Sequence, residues 1–128
     1  MDKNLLIKMA KIASQNAYAP FSGFKVGAAL LTKSGKVFTG CNVENSSYGL
    51  SNCAERTAVF KAVSEGEMEF SEIVIYADSD KVFSPCGACR QVLSEFSSDL
   101  KITIISNKET IETTINELLP LKFTLHRN

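Results

Sequence analysis

Two short stretches carry residue types able to do chemistry together. They are Asn52-Cys53-Ala54-Glu55-Arg56 and Ser84-Pro85-Cys86-Gly87-Ala88-Cys89. They read C-x-E and P-C-x-x-C. At the start of a helix, a C-x-x-C spacing puts both sulfurs on one turn, within reach of one metal ion. Cys53 can supply a third sulfur from a facing element. Three ligands leave one position of a tetrahedral zinc ion open, which is the arrangement of a catalytic site; a structural site fills all four. A structural zinc site would need a fourth ligand. Cys41 is the one other cysteine, and it reads as a small buried residue at the end of a strand. His126 is the single histidine and lies close to the C-terminus, which argues against a histidine-based site.

Both motifs fall where helices are expected to begin. Helix N-termini carry partial positive charge and free N–H groups, and this favours thiolate over thiol at Cys53, Cys86 and Cys89. Three thiolates around Zn2+ leave a net negative charge, which weakens the metal as a Lewis acid. Arg56 follows Cys53 by one turn. A guanidinium donating to ligand sulfur withdraws part of that charge; the bland alternative is a surface ion pair. Glu55 is not forced into the coordination shell. A carboxylate beside a zinc-activated water can take its proton, then pass protons to a ring nitrogen and a leaving amine. That is hydrolytic deamination of an amidine-like carbon.

The elements that must position these residues follow from periodicity. Residues 2–18 show Leu5, Leu6, Met9, Ile12 and Ala13 at steps of three and four, a helical apolar face ended by Pro20. Residues 24–32 are apolar nearly throughout, as a strand covered on both faces would be. Lys33-Ser34-Gly35-Lys36 is a turn and 37–41 the returning strand of an antiparallel hairpin. Residues 42–52 read as a loop. Helices are expected at 54–64 and 87–96, a central strand at 73–77, and strands at 101–105 and 110–114. The last two strands are joined by so few residues that, as neighbours, they must be antiparallel. Residues 117–120 end a short helical turn. The reading is α/β, one domain over 1–128, with a five-stranded mixed sheet.

The chain has 128 residues, 45% of them apolar and 22% charged, with a formal net charge of zero. That balance is ordinary for a globular domain and lowers the expectation of a polynucleotide-gripping surface. No apolar run reaches the length of a membrane span. The first residues lack the pattern of a secretory signal. A cytoplasmic location is expected, and clustered cysteines there are metal ligands before they are disulfides.

With these residues in view, the chain resembles the small homotetrameric cytidine deaminases. The resemblance rests on Tyr18-Ala19-Pro20, Phe24, Val26-Gly27-Ala28-Ala29, Gly40-Cys41-Asn42-Val43-Glu44-Asn45, Cys53-Ala54-Glu55-Arg56-Thr57-Ala58 and Ser84-Pro85-Cys86-Gly87-Ala88-Cys89-Arg90-Gln91. It implies a three-layer α/β/α sandwich, one zinc per subunit and conversion of cytidine and deoxycytidine to uridine and deoxyuridine, as in pyrimidine salvage. It implies that Cys53, Cys86 and Cys89 bind zinc and that Glu55 moves protons. It places Asn42 and Glu44 on the ribose hydroxyl, where alternate residues of extended chain share a face; otherwise that pair reads as a solvated loop. Phe24 would lie on or beside the pyrimidine, although an aromatic at a strand start otherwise reads as core. The backbone N–H of Ala54 would meet the base carbonyl. Tyr48 and Phe123 match positions that reach into a neighbouring subunit's site. Ser46 and Ser47 stand where relatives often carry alanine.

Three rival readings remain at this level. A polynucleotide-editing deaminase shares the metal motif but joins its last strands in parallel through a helix and carries a basic surface. A deaminase of another aminopyrimidine nucleoside, such as a nucleoside antibiotic, would use the same chemistry. A non-enzymatic zinc module would leave Glu55 without a purpose.

Overall fold

The computed structural model describes residues 1–125, which form one five-stranded sheet covered by helices on both faces. In chain order the elements are α1 (Lys3–Ser14), β1 (Val26–Thr32), β2 (Val37–Cys41), α2 (Ala54–Ser64), β3 (Phe70–Ala77), α3 (Gly87–Phe96), β4 (Lys101–Ile105), β5 (Thr110–Thr114) and α4 (Ile115–Leu118). The sheet order is β2-β1-β3-β4-β5. Strand β1 runs antiparallel to both neighbours, β3 and β4 are parallel, and β5 is antiparallel to β4. The parallel β3–β4 pair is the one that needs a crossover, and α3 supplies it. The three-layer α/β/α sandwich and its antiparallel last strands are those expected.

Strand β1 shows why its sequence is apolar nearly throughout. Ala28 and Leu30 face one core, together with Ala58, Val59, Ile73, Leu93 and Ile102 under α2 and α3. Ala29 faces the other, with Leu6 and Ala10 of α1 and Val74 and Tyr76 of β3. Both faces are therefore buried, and each fully covered Leu or Ile contributes about 2 kcal/mol by transfer from water. The β1–β2 hairpin turns at Gly35, whose φ of 93° suits glycine.

Three boundaries differ from the sequence reading. Helix α1 ends at Ser14, not at residue 18. Ser14 Oγ donates back to the Lys11 carbonyl at 2.6 Å. Beyond it, Tyr18 N–H donates to the Asn42 carbonyl at 3.0 Å, and Glu44 N–H donates to the Tyr18 carbonyl at 2.8 Å. Long-range pairing of Tyr18 with Val43 thus overrides helical continuation. Strand β1 begins at Val26, not 24, because the Asn42 side chain takes the backbone groups of Val26 and Phe24. Strand β3 reaches back to Phe70, which pairs with Thr32 across a register irregularity.

One close approach sets the position of α2. A Cβ at Gly40 would lie 2.5 Å from the Ala54 carbonyl oxygen and 2.6 Å from Ala58 N. The glycine lets the first turn of α2 rest directly on β2. That turn carries the C-x-E motif.

Candidate active site

Cys53 and Cys86 occupy equivalent places. Each is the residue immediately before a helix, α2 and α3 respectively, with extended backbone angles. Cys89 lies in the first turn of α3 and is fully buried. The Cys53 and Cys86 sulfurs are 3.8 Å apart, and those of Cys86 and Cys89 are 3.4 Å apart. All three sulfurs lie within 4.8 Å of one another. Disulfide sulfurs would be about 2.05 Å apart, and all three cysteines are free. Tetrahedral thiolate ligands with Zn–S near 2.3 Å sit roughly 3.8 Å from each other. The triad therefore fits one zinc ion, with three soft donors and room for a fourth ligand on the open side.

The charges around the triad are arranged for metal binding. The Cys53 thiol is pulled down to about 5 by the neighbouring Cys89 and by Arg56. Against the expectation of thiolate at all three positions, the Cys89 thiol is pushed far up by Cys53 and by burial, which outweigh the helix N-terminus. Arg56 Nη2 donates to Cys53 Sγ at 3.4 Å, and that contact raises the guanidinium pKa further. Arg56 Nε is buried without a hydrogen-bond partner.

Glu55 is 5% exposed. Burial raises its carboxyl pKa, and the charge on Cys53 adds to the effect. A carboxyl shifted in this way can hold a proton as well as release one. Glu55 lines a cavity of about 370 Å³ together with Cys53, Ala54, Arg56 and Cys86. Val26, Ile75, Ala77 and Ile104 form its apolar floor at one end of the sheet, where β3 and the parallel β4 finish. Ligand crevices in parallel sheets commonly form at that end.

The rest of the wall comes from loops. Phe24, Asn42, Glu44 and Tyr48 all line the cavity. Asn42 Nδ2 donates to the Phe24 carbonyl at 2.8 Å, and its Oδ1 accepts from Val26 N–H at 2.9 Å. Glu44 Oε1 accepts from the N–H groups of Phe21 and Ser22, each at 3.0 Å, and Ser22 Oγ donates to Oε2. The Ser22 hydroxyl and backbone contacts hold the Glu44 carboxyl below its ordinary range. Both side chains thus brace the 21–24 loop, while keeping further hydrogen-bonding capacity toward the cavity. Tyr48 is 78% exposed and meets Phe21 edge-on, with ring centroids 6.4 Å apart. Phe123 is outside the cavity lining; its carbonyl accepts from Gln91 Nε2 at 3.2 Å, and its ring is exposed. His126 lies outside the described residues.

Two contributors were not singled out from sequence. Phe83 lines the cavity from the 78–85 loop. Its signal was a large aromatic among polar loop residues just ahead of Cys86. Arg90 ties that loop in place: Nε donates to the Pro85 carbonyl at 2.8 Å, Nη1 to the Leu118 carbonyl at 2.8 Å and Nη2 to Ser84 Oγ at 3.0 Å. Nothing in the spacing of Arg90 distinguishes it from a surface charge.

A buried carboxylate beside a thiolate triad, at two helix starts over the end of an α/β/α sheet, defines the class of zinc-dependent hydrolytic enzymes. The comparisons narrow the class. Residues 1–105 match the model of the family described as the cytidine and deoxycytidylate deaminase zinc-binding region, and the chain belongs to that family. It is 52% identical to a cytidine deaminase of Halalkalibacterium halodurans over 126 residues, which is 97% of this chain and 96% of that one. It is 39% identical to a blasticidin-S deaminase of Bacillus cereus over 107 residues, 77% of this chain and 76% of that one. A 1.6 Å crystal structure of cytidine deaminase from Burkholderia pseudomallei superposes with a TM-score of 0.91 at 48% identity, covering 96% of this chain and 100% of that one. The cofactor is zinc, and the described residues offer one cysteine cluster for it.

Proposed function

We propose that the protein hydrolyses cytidine and deoxycytidine to uridine and deoxyuridine with release of ammonia, a pyrimidine-salvage reaction. The observation that carries this reading is the buried Glu55 set beside the thiolate triad at the foot of the cavity. Cys53, Cys86 and Cys89 hold the metal. Zinc, when bound, supplies the Lewis acidity that lowers the pKa of a water at its open position.

The remaining work falls to the chain itself. Glu55 accepts a proton from the attacking water and delivers it to the ring nitrogen beside the amino-bearing carbon. The water oxygen bonds to that carbon. Glu55 then moves the second water proton to the amine, the carbon–nitrogen bond breaks and ammonia leaves. Burial raises the pKa of Glu55, which favours a carboxyl that both takes and returns a proton. Arg56 offsets the negative charge of the sulfur cluster through its hydrogen bond to Cys53. The Ala54 N–H meets the base carbonyl, Phe24 flanks the pyrimidine, and Asn42 and Glu44 address the ribose hydroxyl. Tyr48 and Phe123, both exposed, complete sites of neighbouring subunits in a homotetramer. The whole chain, 1–128, acts as one domain. No helix of the described residues is long and apolar enough to cross a membrane, and a cytoplasmic setting keeps the triad reduced.

A second reading, deamination of another aminopyrimidine nucleoside, is favoured by the blasticidin-S deaminase relative. Incubation of the zinc-loaded protein with cytidine, deoxycytidine, cytosine, blasticidin S and single-stranded DNA, with ammonia measured, separates the readings. Release from both nucleosides is expected. Release from blasticidin S alone favours the second reading, and release from DNA but not nucleosides overturns both.

A further inference from the structure

We propose that Phe83 is a positioning and specificity-determining residue of the base pocket, acting through Phe24. The inference rests on the nucleoside reading above. The two rings come from different loops, 21–24 and 78–85, and meet over the cavity that holds Cys53, Glu55 and Cys86. Their centroids are 5.3 Å apart at an interplanar angle of 60°. Both rings are half-exposed, at 46% and 47%.

The backbone of Phe24 is well held. Its N–H donates to Ser22 Oγ at 3.0 Å, and its carbonyl accepts from Asn42. Its side chain is not held by those bonds. Among the described residues its ring meets the ring of Phe83. An edge-on neighbour limits the rotamers of a ring without stacking parallel on it, so a face stays available to a planar base. Phe83 is itself anchored to the metal side of the site. It precedes Ser84 and Pro85, which Arg90 grips through Ser84 Oγ and the Pro85 carbonyl. The edge-on pair therefore links the base-flanking ring to the loop that delivers Cys86. Both rings add to the apolar lining of the cavity.

The test is a double-substitution cycle read by binding and by kinetics. Cytidine binding is measured by calorimetry in the zinc-loaded Glu55→Gln background, where no turnover is needed. Steady-state KM and kcat are measured with Glu55 intact. Aromatic pairs contribute about 0.5–1.5 kcal/mol, so Phe83→Leu should raise Kd and KM roughly three- to tenfold. Zinc content should stay the same and kcat should stay within about twofold. Phe83→Tyr should restore KM. The double variant with Phe24→Leu should be no weaker than Phe24→Leu alone, because Phe83 acts through that ring. Phe83→Met provides a second variant that keeps apolar bulk without a ring, and it should behave like Phe83→Leu. Unchanged Kd in both Phe83→Leu and Phe83→Met, or losses that multiply in the double variant, would overturn the proposal. A wild-type protein that binds cytidine through Phe83 but releases no ammonia would instead overturn the deamination reading.

Discussion

The two walls of the cavity are built differently. The metal wall stands on helix starts: Cys53 ahead of α2, Cys86 ahead of α3 and Cys89 in its first turn. Glu55 and Cys89 there are buried. The opposite wall stands on loops, and Phe24 and Tyr48 on it are exposed. Reaction chemistry needs sub-ångström placement of ligands and proton carriers, so it is carried by elements packed on the sheet. Recognition tolerates loops, because loops can vary in shape without disturbing the scaffold. Damage to the first wall should therefore remove activity outright, and damage to the second should change which nucleoside binds and how tightly.

The largest effect is expected from Cys89→Ser. Cys89 is fully buried and one of three sulfurs, so its loss should abolish stoichiometric zinc, read by metal analysis, together with detectable ammonia release. Zinc retained at one per chain would break the assignment of the metal wall.

Zinc affinity should next show a steep pH dependence. Cys53 is already ionised above about pH 5, while Cys89 holds its proton far above the ordinary thiol range. Binding must displace at least that proton. Apparent affinity should accordingly fall at least about tenfold per unit as pH drops from 8 to 6, measured by competition with a chelator whose own protonation is known. A flat profile would mean that the thiolates are formed without metal.

Arg56→Gln removes the guanidinium that donates to Cys53. Zinc should stay bound while kcat falls on the order of tenfold, the usual scale for a partner behind a metal ligand. Unchanged turnover would reduce Arg56 to a packing residue. The smallest effect belongs to the recognition wall. Glu44→Gln weakens the contacts to Phe21 and Ser22 and alters the expected ribose partner. KM should rise severalfold, with kcat within about twofold. A collapse of kcat instead would blur the distinction between the walls.

How far the sequence could be read follows the same division. The C-x-E and P-C-x-x-C stretches were legible because their residue types have few alternative uses together. The antiparallel β4–β5 pair was legible because its connection is too short for a crossover. The end of α1 was not, since Ser14 to Tyr18 keep helical periodicity and yield only to pairing with Val43, a residue far along the chain. The bracing work of Asn42 was hidden for a similar reason. Its amide imitates a strand partner for Phe24 and Val26, and no local pattern reveals a side chain acting as backbone. Phe83 was hidden because its partner, Phe24, is brought to it only by the fold.

The central claim is that Glu55 moves protons beside a metal it does not help to hold. The most direct measurement is ammonia release from cytidine by the wild type and by Glu55→Gln, each normalised to bound zinc. The account predicts equal zinc and a fall in kcat of about 10²- to 10⁴-fold. Comparable turnover per zinc in the two proteins would contradict it.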